Sequence, residues 1–270
     1  MTTIPYWHVD AFATRPFAGN QAAVMVLAQW LDDDVLQAIG EENNFAETAF
    51  VVRDATGEAD WELRWFTPTS EVALCGHATL ATGHVLLTRD AGDKGDERVT
   101  FRTRKAGVLE VRRDGDGYAL ALPETRVEEG AVPGLLEALG VQAPVYDSVS
   151  GAEETSIVLL EDEAAVRAVT PDMRALEGIE RMAICTAPGD GTDVVSRVFV
   201  PAWGVPEDSV TGSAHAALGP FWAERLGRDR FTAHQASARG GDLTCRVEGD
   251  RVWLGGPCVT VVEGRFCLAP

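Results

Sequence analysis

"LEVRRDGDGYALALP" (residues 109–123) aligns without a gap on "LTCRVEGDRVWLGGP" (residues 243–257), and that alignment decides the fold. Six of the fifteen positions are identical: Leu109/Leu243, Arg112/Arg246, Gly115/Gly249, Asp116/Asp250, Leu120/Leu254 and Pro123/Pro257. The offset of 134 residues is close to half of the 270-residue chain. In each copy two extended segments flank a turn built of Gly and Asp, the signature of a β-hairpin. A second pair of stretches agrees. "FTPTSEVALCGHATLA" (66–81) and "FVPAWGVPEDSVTGSAHAAL" (199–218) both open on Phe-x-Pro and run into a glycine, Gly76 and Gly212, at an offset of 136. Each glycine opens a helix-like run. Two motifs repeated at nearly one offset imply a duplicated chain, each half built as strand, loop, helix and hairpin.

Outward from the repeat, "YWHVDAF", "AAVMVLA", "ETAFVV", "WELRWF", "TSIVLL", "VVSRVFV" and "RVWLGG" read as strands. "DDDVLQAIGEEN" reads as a helix with acidic residues in its first turn, where the helix dipole favours them. Strands and helices mix without regular βαβ alternation, so the class is α+β. The predicted domains are residues 1–126 and 127–270, the boundary falling within "ETRVEEGAVPG".

Bulk properties narrow the function. A net charge of −19 leaves no surplus of Lys and Arg to displace counterions from phosphates, which argues against nucleic acid and anionic membranes. No apolar run approaches the length of a membrane span, and the N-terminus lacks the pattern of a signal peptide. Five cysteines, an odd number without a C-x-x-C pair, fit free thiols in a reducing cytoplasm. The sequence holds no G-x-G-x-x-G, P-loop or H-E-x-x-H motif.

"ALCGHATLATGH" (73–84) concentrates Cys75, His77 and His84. Seven residues on a helix separate the two histidines by about 10 Å, too far to grip one ion, so no metal is expected. Cys75 sits where a helix start lowers a thiol pKa, which leaves a nucleophile and a buried core thiol both open. Its mirrored position is Thr211, so a two-thiol racemase lacks its second thiol. Gly76–His77 and Gly212–Ser213 each present a helix N-terminus. Facing one another across an interdomain cleft, the two would cradle a small carboxylate; the alternative is that both are only tight helix starts.

Four stretches in order resemble the PhzF-like phenazine-biosynthesis family, of the diaminopimelate-epimerase-like fold: "HVDAFATRPFAGNQAAV" (8–24), "NNFAETAFV" (43–51), residues 66–81 and "PEDSVTGSAHAALGPFW" (206–222). The resemblance implies two similar domains, each a curved mixed sheet around a central helix, with the site between them. It implies Glu47 as the acid/base residue, Asp208 and His77 as its catalytic companions, and Gly76, Thr211, Gly212 and Ser213 as substrate-binding residues. It implies a cofactor-independent isomerase of a small anionic, cyclic acid resembling trans-2,3-dihydro-3-hydroxyanthranilate, working as a homodimer. Ala46 stands where the family often has serine, and Ser209 where proline is frequent.

Taken bare, Glu47 reads as a solvated strand glutamate, Asp208 as a helix cap, His215 as structural and His8 as satisfied by backbone. A partly desolvated carboxylate can both take and return a proton, which makes the catalytic role of Glu47 chemically sound. The alternatives are an amino- or hydroxy-acid epimerase or racemase, and a non-catalytic protein that binds small acids.

Overall fold

The computed structural model describes residues 2–89, 97–151 and 153–268. The chain divides into two units, Met1–Ala121 with Gly255–Pro270, and Leu122–Leu254. The first unit opens with strands β1 (Thr2–Ala11) and β2 (Asn20–Val26), helix α1 (Asp33–Asn43), and strands β3 (Glu47–Arg53), β4 (Trp61–Phe66) and β5 (Glu71–Val72). Helix α2 (Gly76–Arg89) and strands β6 (Arg98–Thr103), β7 (Val108–Asp114) and β8 (Gly117–Pro123) follow. The second unit runs through β9 (Val127–Gly130), α3 (Leu135–Leu139), β10 (Val145–Ser148), β11 (Thr155–Leu159), α4 (Glu163–Ala168), α5 (Met173–Leu176), β12 (Met182–Pro188), β13 (Val194–Val200) and β14 (Val205–Asp208). It closes with α6 (Gly212–Leu226), β15 (Arg230–Gln235), β16 (Gly241–Glu248) and β17 (Arg251–Gly256). The last strand, β18 (Cys258–Leu268), returns to the first unit and pairs antiparallel along β1. That return is why the first unit includes residues at both ends of the chain, where the sequence reading divides the chain once, at 126/127.

Both repeated hairpins form. β7 and β8 close on Asp114↔Gly117, around Gly115 at φ +58°; in the second copy Gly249 takes φ +62° at the corresponding turn. Only glycine adopts such angles freely, which is why the pair recurs in the repeat.

Each unit has one long helix buried almost all round. In α2 the residues Gly76–Gly83 and Val85–Leu87 are buried, and the helix packs on β1, β2, β3, β6 and β7. Helices apolar on every face belong inside a core rather than on it. In α6 the run Ala214–Gly219 with Phe221 and Trp222 is likewise buried, against β11 and β16. Both helices carry a second glycine two turns after the first. A Cβ on Gly83 would lie 2.4 Å from Val111 Cγ1, and one on Gly219 would lie 2.7 Å from Val252 Cγ1. These glycines let helix backbone approach sheet side chains directly. The amphipathic α1 covers another face of the first unit, where Leu36 and Ile39 join Ile4, Met25, Phe50 and Phe66. In the second unit α3, α4 and α5 cover Val158, Cys185, Val195 and Phe199 in the same way. No helix among the described residues is long and apolar enough to cross a membrane.

Candidate active site

The turn from α1 into β3 positions Glu47. Asn44 caps α1 in the left-handed region (φ 50°), and Asn43 Nδ2 donates to Thr48 Oγ1 at 3.0 Å, so the chain reverses within three residues. β3 runs parallel to β2 with Ala22 opposite Glu47. Side chains alternate along a strand, so Glu47 shares its face with Ala22 and, two residues along, Asn20.

His77, the second residue of α2, is 4% exposed and meets these groups from the helix side. Its Nδ1 lies 3.1 Å from Asn20 Nδ2 and 3.5 Å from Cys75 Sγ. Its Nε2 lies 3.2 Å from the Gln21 carbonyl oxygen and 3.1 Å from Glu47 Oε2. An amide nitrogen only donates, so Asn20 assigns Nδ1 as acceptor and leaves the ring hydrogen on Nε2, toward Gln21 and Glu47. Glu47 Oε2 is at ion-pair distance yet out of line for a hydrogen bond, and among the described residues this buried oxygen has no hydrogen-bond partner. A buried carboxylate oxygen left unpartnered is costly, and such groups concentrate at functional sites.

Burial, then the charge of Glu47, push the Cys75 thiol up to about 12. Cys75 is therefore a thiol at neutral pH and a weak nucleophile, its sulfur 3.5 Å from Nδ1. Burial works against an imidazolium at His77; Cys75 and Glu47 work for it and win, so its pKa stands well above the ordinary value. A second proton at Nδ1 calls for the Asn20 amide to turn its oxygen inward.

Glu47, Cys75 and His77 each bring one ligand atom within 4.8 Å of the others, a grouping that could hold a metal ion. Their arrangement fits a proton path better. Cys75 faces Nδ1 and Glu47 faces Nε2, and an imidazole gives one ion only one of its nitrogens. His84 stands apart, its ring nitrogens 3.1 Å from Tyr118 Oη and 2.8 Å from Thr260 Oγ1. Burial pushes its pKa down to about 4. His8 lies 3.2 Å from Gln21 Nε2 and 3.7 Å from Asp10 Oδ1, with its ring against Phe45. Asp33, exposed in the first turn of α1, accepts from the buried Arg64 at 2.8 Å.

The second unit assembles the other predicted residues around α6. Thr211 is the N-cap, with extended backbone and no capping hydrogen bond from its side chain. Its hydroxyl donates to Asp208 Oδ2 instead, and the Ser209 amide donates to Asp208 Oδ1 at 2.9 Å. Asp208 thus accepts from its own loop, and the N-cap position belongs to Thr211. Gln235, fully buried on β15, locks this turn: its Oε1 accepts from the Thr211 amide at 2.8 Å and its Nε2 donates to the Asp208 carbonyl at 2.8 Å. His215 Nδ1 donates to the Thr211 carbonyl at 2.7 Å, and burial pushes its pKa down to about 4, so the ring is neutral. Gly212 is buried and Ser213 half-buried in the first turn of α6.

The structure therefore brings Glu47, Gly76 and His77 together in one unit, and Asp208, Thr211, Gly212 and Ser213 in the other. Asn20 and Gln235 complete these groups. Gln235 went unread in the sequence, although an amide at an inward position of "RFTAHQ", after Phe231 and Ala233, is a detectable signal.

The family model for phenazine biosynthesis-like proteins matches residues 9–264. The chain belongs to the phenazine biosynthesis-like family. An uncharacterized isomerase of Pseudomonas aeruginosa is 49% identical over 268 residues, covering 98% of this chain and 99% of that protein. A mouse phenazine biosynthesis-like domain-containing protein is 36% identical, covering 97% and 99%. The crystal structure of an Enterococcus faecalis PhzF-family protein superposes with a TM-score of 0.89 at 41% identity, over 99% of this chain and 100% of that one. A hydroxyproline epimerase from Agrobacterium vitis shares the fold at a TM-score of 0.68 and 12% identity. The phenazine biosynthesis-like chain thus has the α+β, epimerase-like architecture, and several of its relatives are named isomerases.

Proposed function

We propose that this protein is a cofactor-independent isomerase of a small cyclic carboxylic acid, of the dihydro-hydroxyanthranilate type, and that Glu47 moves the proton. The observation that carries the reading is the buried, unpartnered Glu47 Oε2 set 3.1 Å from His77 Nε2. As a carboxylate, Glu47 removes a proton from one ring carbon; the electron pair left behind delocalises through the substrate's double bonds. The resulting carboxylic acid returns the proton to a second ring carbon. Substrate and product are isomers, and no oxidant or reductant is consumed. His77 stabilises the carboxylate before abstraction and after return. The uncapped first turn of α6, with Thr211, Gly212 and Ser213, is proposed to receive the substrate carboxylate, and Asp208 to receive its amino or hydroxyl group.

The test is deuterium incorporation from D₂O, followed by NMR with dihydro-hydroxyanthranilate and a panel of small cyclic acids. Glu47→Gln is expected to lower exchange roughly 10²- to 10⁴-fold, the usual contribution of a positioned acid/base. Exchange that survives in Glu47→Gln would remove the proton from Glu47. A second reading, an amino- or hydroxy-acid epimerase, draws on the Cys75 thiol beside His77. It requires Cys75→Ala to abolish α-proton exchange. The isomerase reading requires that variant to keep exchange within about tenfold, the worth of one hydrogen bond.

A further inference from the structure

Trp65, on β4, is 1% exposed, and its indole Nε1 is buried without a hydrogen-bond partner among the described residues. A buried indole ordinarily gives its one N–H to an acceptor. Trp222, also buried, does so: its Nε1 donates to Thr186 Oγ1 at 3.1 Å. Glu47 Oε2 is the complementary case, a buried acceptor without a donor.

Strand register brings these two atoms' side chains onto one face. Trp65 lies opposite Ala49 across the antiparallel β3–β4 pair. Opposite residues share a face, and so do residues two apart, so Trp65 projects to the same side as Glu47, where His77 lies. The two are diagonal neighbours, roughly 7–8 Å apart at Cα and within reach of an aromatic and a long side chain. The other side chains on that face beside Trp65 offer no acceptor: Leu63 on its own strand, Ala49 and Val51 on β3, and Val72 on β5. Thr67, just past the end of β4, has its hydroxyl engaged in its own turn, donating to the Ser70 carbonyl at 3.1 Å and accepting from the Ser70 amide at 3.0 Å. Ala49 reaches only a methyl group into the space between carboxylate and indole. Folded proteins hold waters between buried polar groups of this kind, because each such water satisfies both.

We propose that Trp65 is a positioning residue for Glu47: its indole N–H, through one bound water, supplies the hydrogen bond that Oε2 lacks. The water accepts from Nε1 and donates to Oε2. With Glu47 as the proton carrier, the reading on which this rests, its two oxygens divide the task. Oε2, between His77 Nε2 and the water, is the oxygen that stays in place. Oε1 takes the proton from the substrate carbon and returns it. The Glu47 side chain is 18% exposed while Oε2 is buried, so its outward part is what a substrate meets.

A high-resolution crystal structure of the full chain is expected to show one ordered water about 3 Å from both Glu47 Oε2 and Trp65 Nε1. In ¹⁵N-labelled protein the indole proton of Trp65 should show cross-relaxation with that bound water, and Glu47→Leu should abolish it. Trp65→Phe removes the N–H and keeps an aromatic ring. It should lower deuterium exchange per folded molecule about tenfold with KM nearly unchanged, the worth of one hydrogen bond. No water at that position, an indole signal indifferent to Glu47→Leu, or full exchange in Trp65→Phe would each overturn the proposal. The first two measurements need no substrate and no Trp65 variant, so they decide the matter even if Trp65→Phe fails to fold. Failure of the Glu47 reading has a different signature: there Glu47→Gln itself keeps its exchange.

Discussion

The hydrogen bond that Asn20 gives to Nδ1 of His77 decides which edge of that ring carries its proton and meets Glu47. Asn20→Ala removes that assignment while leaving Glu47, His77 and the backbone in place. Turnover should fall about tenfold with KM nearly unchanged, the worth of one hydrogen bond made to a reacting pair. Above its raised pKa, where the ring is neutral, the ¹⁵N shifts of His77 should move toward mixed tautomers, a signature that loss of stability alone would not produce. His84 and His215 behave oppositely. Both are held at a pKa of about 4 by burial, so their resonances should stay those of neutral rings from pH 8 to pH 5.5.

At the scale of elements the two central helices show what the duplication repeats. Gly76 and Gly212 begin them, and Gly83 and Gly219, two turns on, let them sink into their sheets. Gly83→Ala should drive a methyl group into the branched, stiff Val111 and destabilise the protein by about 1–3 kcal/mol, as overpacked cores do. Gly219→Ala against Val252 should do the same, and thermal melts of the two variants check both. The sequence made these elements legible because hairpin turns and helix starts depend on local residues, and the local residues repeat. It also made Glu47 and His77 legible, through motifs. What it hid depends on contacts between distant positions. Asn20 reaches His77 across 57 residues and Gln235 reaches Thr211 across 24, and no local pattern records either distance. The return of β18 to β1 was hidden for the same reason.

For the whole molecule, pH sums these environments. The unfolded chain takes up protons at His84 and His215 near pH 6.5, which the folded chain refuses until about pH 4, so both drain stability as pH falls through that window. His77, with its raised pKa, contributes stability that is fully present below pH 6.5 and is lost as pH rises through its folded value. Two losses outweigh one held gain. The melting temperature should decline between pH 6.5 and 4.5, and His84→Gln should flatten part of that decline. Asp33 and Glu71, held low by Arg64, add a further loss as pH falls through the ordinary carboxylate range toward their lowered values.

The pairing of β1 with β18 also bears on how the protein is made. The first strand leaves the ribosome with its partner still untranslated, and at about 5–20 residues per second it waits on the order of ten seconds or more. Throughout that interval residues 122–254 emerge as a unit complete in itself, while the earlier segment holds β1 with one side bare. The half of the protein that carries Glu47 and His77 is begun first and finished last.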